Sequence, residues 1–292
     1  MNELLQMLDM PFFRRALVAA ALIGFTNGFV SGFVLLRKSS LTLSALCHTL
    51  LPGIVIVVLI TGALTQAGAF TGALLAALIV GLGSISVTRN TRLPQSTALA
   101  IFFTTAFALG IVLIQYTHTV QNLEDWLFGN ILSVSDSDLQ VFFGISCFIL
   151  LSATLFMRPL LLTLFEPNVA AVQGVGVRWM NYLLYALMIF ALMASFQAVG
   201  PILSIGLLVV PGAIVSLFTN QTRWLFWGGG IVGCLSSMLA VVISVPLNIP
   251  TGPAIVLVLG IIFLIAYFVN PNYGPLKRLQ TNNKNNKSKN VP

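Results

Sequence analysis

Charge is what this sequence has least of. Asp, Glu, Lys and Arg together make up 7% of its 292 residues, against about 25% in a soluble domain that must present a water-solvated surface. A surface so poor in charge faces something other than water, and runs of about 20 apolar residues fit the hydrocarbon thickness of a bilayer. The shortage excludes a soluble globular domain and predicts an all-α, polytopic transmembrane helical bundle. Cysteine is also scarce. Cys47, Cys147 and Cys234 each fall inside an apolar run, with no spacing suited to a metal knuckle or a disulfide framework, so all three are expected to be small buried residues. No G-x-x-x-x-G-K-[ST] phosphate loop occurs, so if ATP drives this chain another subunit hydrolyses it. The 2 histidines offer no nucleophile–base pair or ligand cluster, and an enzyme is the least favoured class.

What the chain does have is apolar runs, at 16–36, 43–62, 68–87, 97–115, 139–157, 182–197, 201–219, 225–245 and 254–269. That is nine spans, with eight as the alternative. The stretch 182–219 is too long for one crossing and divides at Gln197 and the Gly200-Pro201 turn signal. Met1 to Pro11 carries Glu3 and Asp9 and lacks the basic and apolar regions of a cleaved signal. Its Leu4, Leu5, Met7 and Leu8 suggest an interfacial amphipathic helix. Residues 1–15 are therefore expected to form an interfacial segment, 16–270 the membrane domain, and 271–292 an Asn/Lys-rich, disordered cytoplasmic tail.

Orientation follows from the basic residues, which concentrate in cytoplasmic loops. Placing the tail inside and counting nine spans puts the N-terminus outside. Arg37, Lys38, Arg89, Arg92, Arg158, Arg178 and Arg223 then join Lys277, Arg278, Lys284, Lys287 and Lys289 on the cytoplasmic side, leaving only Arg14 and Arg15 of the 14 basic residues outside. The net charge of +7 is thus explained by topology, and no nucleic acid is called for.

No Asp, Glu, Lys or Arg lies within the nine runs. Ionisable groups at membrane depth usually mark an ion or proton path, so their absence argues against a proton-coupled carrier. The conspicuous titratable residue is His48, on the second run. Ser44 shares its face by the i, i+4 rule, and Cys47 is adjacent. Pro52-Gly53 follows, and a helical proline frees the carbonyl four residues earlier, that of His48 itself. Imidazole, hydroxyl and a free carbonyl compose a transient cation site; a histidine bonded to a neighbouring helix is the plainer alternative. Pro211-Gly212 interrupts another run, either to flank a path or as a packing kink. His118, Glu124 and Asp125 lie in the outer loop 116–138, where Trp126 to Leu132 reads as a short interfacial helix, and a solvated His118 is the simpler reading. In the inner loop 158–181, Pro167 suits a helix's first turn and Gly174 its end. A short, weakly charged cytoplasmic helix there is either a linker or a docking element.

These blocks, taken in order, resemble the zinc/manganese/iron ABC permease family, the integral membrane subunit of metal ABC-3 type. The resemblance rests on Val34 to Lys38, Ser44-Ala45-Leu46-Cys47-His48-Thr49-Leu50-Leu51-Pro52-Gly53, Ala106 to Leu113, Leu127 to Val134, Phe165 to Val177, Gln197 to Gly200, Val210 to Ala213, and Pro250 to Ala254. It implies a helical permease of the bacterial inner membrane that pairs with a second permease subunit, the same or paralogous. It further implies two cytoplasmic ABC ATPases and an extracytoplasmic metal-binding protein as partners, a transported divalent metal ion, and no permanently bound cofactor. On this resemblance His48, Ser44 and Cys47 line the metal path, with Pro52, Gly53, Pro211 and Gly212 shaping it. Glu166, Pro167, Asn168, Ala170, Ala171, Gly174 and Gly176 couple it to the ATPase.

Two departures bear on the cargo. Ser44 stands where the family usually has Asp, and Gln95-Ser96 where it usually has an acidic pair. Both remove carboxylate, the oxygen ligand a dication in a low-dielectric path needs most. Either a second, carboxylate-bearing permease completes the path, or softer ligands, His48 with Cys47, adjust selectivity. An ABC permease for a metal chelate and an ATP-independent secondary carrier are the rival readings.

Overall fold

The computed structural model describes residues 10–62, 65–114, 129, 131–247 and 249–270. All regular structure among them is helical: α1 (Pro11–Leu36), α2 (Ser40–Thr61), α3 (Gln66–Asn90), α4 (Gln95–Ile114), a 3₁₀ turn (Ile131–Ser133), α5 (Asp136–Leu155), α6 (Met157–Phe165), α7 (Pro167–Val172), α8 (Val177–Val199), α9 (Pro201–Phe218), α10 (Thr222–Leu247) and α11 (Thr251–Val269). Helices are the expected solution in lipid, because each backbone N–H and C=O is then bonded within its own segment.

Eight of these helices are long and apolar enough to cross a bilayer, namely α1 to α5, α8, α10 and α11. The shorter α9 is the ninth apolar run of the sequence, and its contacts carry it between the same two faces. Its N-cap Gly200, at φ +85°, separates it from α8, at the break the sequence predicts. At its other end the Asn270 amide, just past α11, donates to the Leu217 carbonyl. Other contacts sort the helix ends in the same way. At one face Arg15 pairs with Asp136 at 3.4 Å, and the Ile131 N–H donates to the Thr251 hydroxyl at 3.2 Å. At the opposite face Arg37, after α1, donates to Asn181 near the start of α8 at 2.9 Å.

Lipid tails are as apolar as Leu, so helices in a membrane associate through close packing rather than through the hydrophobic effect. The most extensive pairing in this chain, α1 with α10, is built on glycine. Gly24, Gly28 and Gly32 recur every fourth residue on α1 and meet Gly233, Gly229 and Phe226 of α10. A Cβ on Gly24 would stand 2.5 Å from the Gly233 carbonyl oxygen, and one on Gly32 would stand 2.7 Å from the Phe226 ring. Toward the Arg37 end the contact becomes aromatic. The Phe226 ring centroid lies 4.5 Å from that of Phe33 and 5.4 Å from that of Phe29. Around this pair α9 packs on α1, and α11 on α9 and α10, while α2, α3 and α4 form a second group.

Within the described residues α1 is continuous from Pro11, so Arg14 and Arg15 stand in the opening turns of the helix that carries the first apolar run; Pro at its first turn costs no hydrogen bond. One expectation is corrected. Of the cysteines only Cys47 is buried, with Cys147 exposed and Cys234 half-buried, since an apolar run that faces lipid exposes its small residues too. Of the stretch Trp126 to Leu132, where the sequence suggests a helix, only Gly129, Ile131 and Leu132 are among the described residues, and a single turn, Ile131–Ser133, begins there. His118, Glu124, Asp125 and the tail 271–292 lie outside the described residues.

The glycine contact makes a direct prediction. Gly28→Leu, which drives a side chain into the Gly229 backbone, is expected to destabilise the fold by about 3 kcal/mol or more. Gly144→Ala, where nothing lies within 4 Å of the new Cβ, is expected to be neutral or stabilising by up to about 1 kcal/mol. Thermal melts of the detergent-purified protein compare the two.

Candidate functional site

The candidate path lies on α2. Ser44 and His48 stand one turn apart and are both partly exposed. Cys47, 3% exposed, belongs to the apolar core with Leu46 and Leu50. Ser44 and His48 thus share a face that the Cys47 thiol does not. The His48 ring stands against α4, its centroid 6.2 Å from Phe103 and 5.9 Å from Phe107, so its nearest ring neighbours are apolar. Among the described residues no group of three His, Cys, Asp or Glu side chains could hold a metal ion. Among the described residues the candidate path thus has one imidazole and one hydroxyl on a shared face of α2.

Pro52 and Gly53 fix where α2 meets its neighbours. Gly53 of α2 and Gly72 of α3 touch backbone to backbone, and a Cβ on Gly110 of α4 would stand 2.8 Å from the Pro52 ring. One turn before Pro52, His48 is consequently held beside a three-helix contact. Pro211 and Gly212 play a comparable part on α9: both are buried, and a Cβ on Gly212 would lie 2.7 Å from the Ser31 hydroxyl of α1. Both Pro-Gly pairs are thus packing points, and only the α2 pair adjoins the histidine.

The segment between α5 and α8 is well ordered by its own sequence. Pro167 opens α7, and Gly174, at φ +78°, ends it. The Gly174 N–H donates to the Ala171 carbonyl at 3.1 Å and the Val175 N–H to Ala170 at 2.9 Å, the paired bonds of a Schellman turn. Glu166, Pro167, Asn168, Ala171, Gly174 and Gly176 are exposed, whereas Ala170 is buried beneath them. Phe165, Val169, Val172 and Trp179 add exposed apolar surface.

Sequence reasoning missed the polar cluster at this same end. The Gln95 amide donates to the Tyr185 hydroxyl, and the Arg37 guanidinium lies 4.6 Å from the Tyr185 ring centroid while bonding Asn181. Nearby, Tyr182 approaches Ser86 at 3.3 Å and carries Arg89 and Arg178 at 5.1 and 5.9 Å from its ring centroid. A signal was present: Arg178, Asn181, Tyr182 and Tyr185 cluster at the start of an otherwise apolar helix, and Arg37 is among the other arginines assigned to the cytoplasmic side.

Residues 9–270 match the model of the ABC 3 transport family. The chain belongs to that family. Its relatives include the manganese transport system membrane protein MntC of Halalkalibacterium halodurans, 38% identical over 94% of this chain and 92% of the relative. They also include the chelated iron transport system membrane protein YfeD of Yersinia pestis, 33% identical over 89% of this chain and 86% of the relative. Among solved structures, PsaBC from Streptococcus pneumoniae in complex with Fab superposes with a TM-score of 0.81 at 32% identity, covering 94% of this chain and 98% of that one. Membership makes the protein a multi-pass bacterial membrane permease, in agreement with its composition and its apolar helices.

The turn at Gly174 gives a second prediction. Its left-handed backbone has no steric neighbour, so Gly174→Ala is expected to cost about 1–2 kcal/mol from backbone strain alone. Hydrogen exchange is expected to quicken at residues 170–176 while the core of α10 keeps its protection.

Proposed function

We propose that this chain is the membrane-spanning permease subunit of an ATP-driven importer of a divalent transition metal, with manganese or iron as cargo. The observation that carries the reading is His48, partly exposed on α2 one turn before Pro52, in a family member whose relatives bear manganese and iron transport names. The face bearing Arg37, Arg89 and Arg178 is cytoplasmic, because basic residues gather on that side. A closed metal-binding protein docks on the opposite face and releases its ion between two permease subunits. ATP binding draws two ABC ATPases together against α7, and α7 moves the helices around the path. The permease itself makes and breaks no covalent bond.

His48 acts as a neutral imidazole ligand, a role suited to manganese, iron and zinc alike. Ser44 supplies a neutral oxygen where a carboxylate would bind a dication more strongly. We infer that the second permease subunit supplies the missing charge, since a dication stripped of water in a low-dielectric path is poorly held by one imidazole and one hydroxyl. A single permease species that transports as a purified homodimer would sink this part of the reading. Metal-chelate import is the second possibility, favoured by the chelated-iron relative.

Metal uptake by cells carrying the full system tests the main reading. His48→Ala is expected to lower uptake of one metal by about tenfold or more, the effect of losing a ligand worth about 1.4 kcal/mol. The permease should remain in the membrane with its ATPase bound. Unchanged uptake of manganese, iron and zinc would remove His48 from the path.

A further inference from the structure

Tyr185 is buried to 1% exposure, yet it is one of the most heavily partnered polar side chains in the membrane domain. Its hydroxyl accepts from Gln95 at the start of α4, and the Thr42 side chain at the start of α2 is a further group at it. Its ring carries the Arg37 guanidinium from the α1–α2 connection. Arg37 in turn holds Asn181, whose amide donates back to the Val177 carbonyl at 3.0 Å. Val177 is the first residue of α8, immediately after Gly176 and the Schellman turn that closes α7.

The network therefore has one root and two branches. Its root is the opening turn of α8, tied by a short, fixed connection to α7. One branch runs through Arg37 and Thr42 to α2, where His48 lies six residues on, about 9 Å along the helix. The other runs through Gln95 to α4, whose Phe103 and Phe107 stand against the His48 ring. Buried polar groups of this kind cost stability unless fully bonded, and such bonds exchange partners in discrete steps where apolar contacts slide. Gln95 also keeps the network neutral apart from Arg37, where an acid would lock the guanidinium in an ion pair.

We propose that Tyr185 is a positioning residue that transmits displacement of α7 to α2 and α4 together, so that the two walls around His48 move as one. The proposal rests on α7 as the ATPase-docking element and on His48 as part of the path. The hydroxyl is the working group; the ring is its anchor.

The test uses the whole complex, permeases with ATPases and binding protein, in proteoliposomes, with manganese uptake and ATP hydrolysis measured in the same vesicles. Tyr185→Phe keeps the ring and Arg37 contact and removes the hydroxyl. It is expected to retain assembly, melting midpoint and ATP hydrolysis, while metal moved per ATP falls roughly fivefold or more, the range of coupling between linked sites. Gln95→Leu is expected to do the same. Gln95→Glu, whose carboxylate cannot donate to the hydroxyl and would lock Arg37 in an ion pair, is expected to leave coupling as low as Gln95→Leu does. Thr154→Val, which loses only bonds within exposed α5, serves as the unaffected control. An unchanged uptake-to-hydrolysis ratio in Tyr185→Phe overturns the proposal. So does a parallel fall of uptake, hydrolysis and melting midpoint, which makes Tyr185 merely structural. A wild-type complex that moves no metal fails the transport reading instead. The relay is then judged from spin labels at Val172→Cys and Leu41→Cys, sites 89% and 83% exposed on α7 and α2. An ATP-dependent distance change lost in Tyr185→Phe supports it, and the same change in both overturns it.

Discussion

Backbone-to-backbone contact between α1 and α10 is the constraint from which the rest of the arrangement follows. With no hydrophobic effect to drive helices together in lipid, close approach is what dispersion and weak polar contacts reward. Glycine at Gly24, Gly28, Gly229 and Gly233 permits that approach and fixes both axial register and rotation. With rotation fixed, α1 must present Ser31 to Gly212 of α9, and its final turn must deliver Arg37 to α8. The same device recurs on a smaller scale between Gly53 and Gly72, where it settles the position of α2 and hence of His48.

A division of labour between the two ends of the bundle follows. One face is pinned by a capping box, in which the Asp138 carboxylate accepts from the Ser135 N–H while the Ser135 hydroxyl accepts from the Asp138 N–H, and by the neighbouring Arg15–Asp136 pair. The other face carries guanidiniums lying over tyrosine rings, with amides as their hydrogen-bond partners. Ion pairs and caps hold one geometry; cation–π and amide contacts tolerate several. The tolerant end is the one that holds α7.

Much of the architecture was legible in the sequence, because bilayer thickness and the scarcity of charge leave few choices. The Gly200-Pro201 break and the α7 boundaries at Pro167 and Gly174 follow from backbone chemistry that each residue carries alone, and they were read correctly. The glycine register of α1 and α10 was equally present as a repeat of four, but its meaning depends on a partner some 200 residues away. Arg14 and Arg15 stand ahead of the first apolar run in the sequence, and α1 extends through them to Pro11 because a helix end can carry charge into the interface. Exposure of Cys147 was hidden: apolar surroundings in the sequence do not say whether protein or lipid supplies them. At the site, the i, i+4 pairing of Ser44 and His48 was legible, and the rings of Phe103 and Phe107 were not. Tyr185 escaped notice because a tyrosine in an apolar run has no local signature; only the convergence of α1, α2, α4 and α8 gives it weight.

The α1–α10 contact also has a temporal side. Gly28 leaves the ribosome about 200 residues before Gly229, an interval of roughly 10–40 s at bacterial elongation rates of about 5–20 residues per second. Throughout that time the glycine face of the first helix sits in the bilayer without its mate. The six apolar helices in between, α2 to α5, α8 and α9, are inserted while the face of α1 that α10 will cover is still open. Insertion of α10, with α11 still to follow, is thus the event that covers the glycine face of α1, and a nascent chain stalled or cut before it would expose a close-packing surface to any other small-residue helix in the membrane.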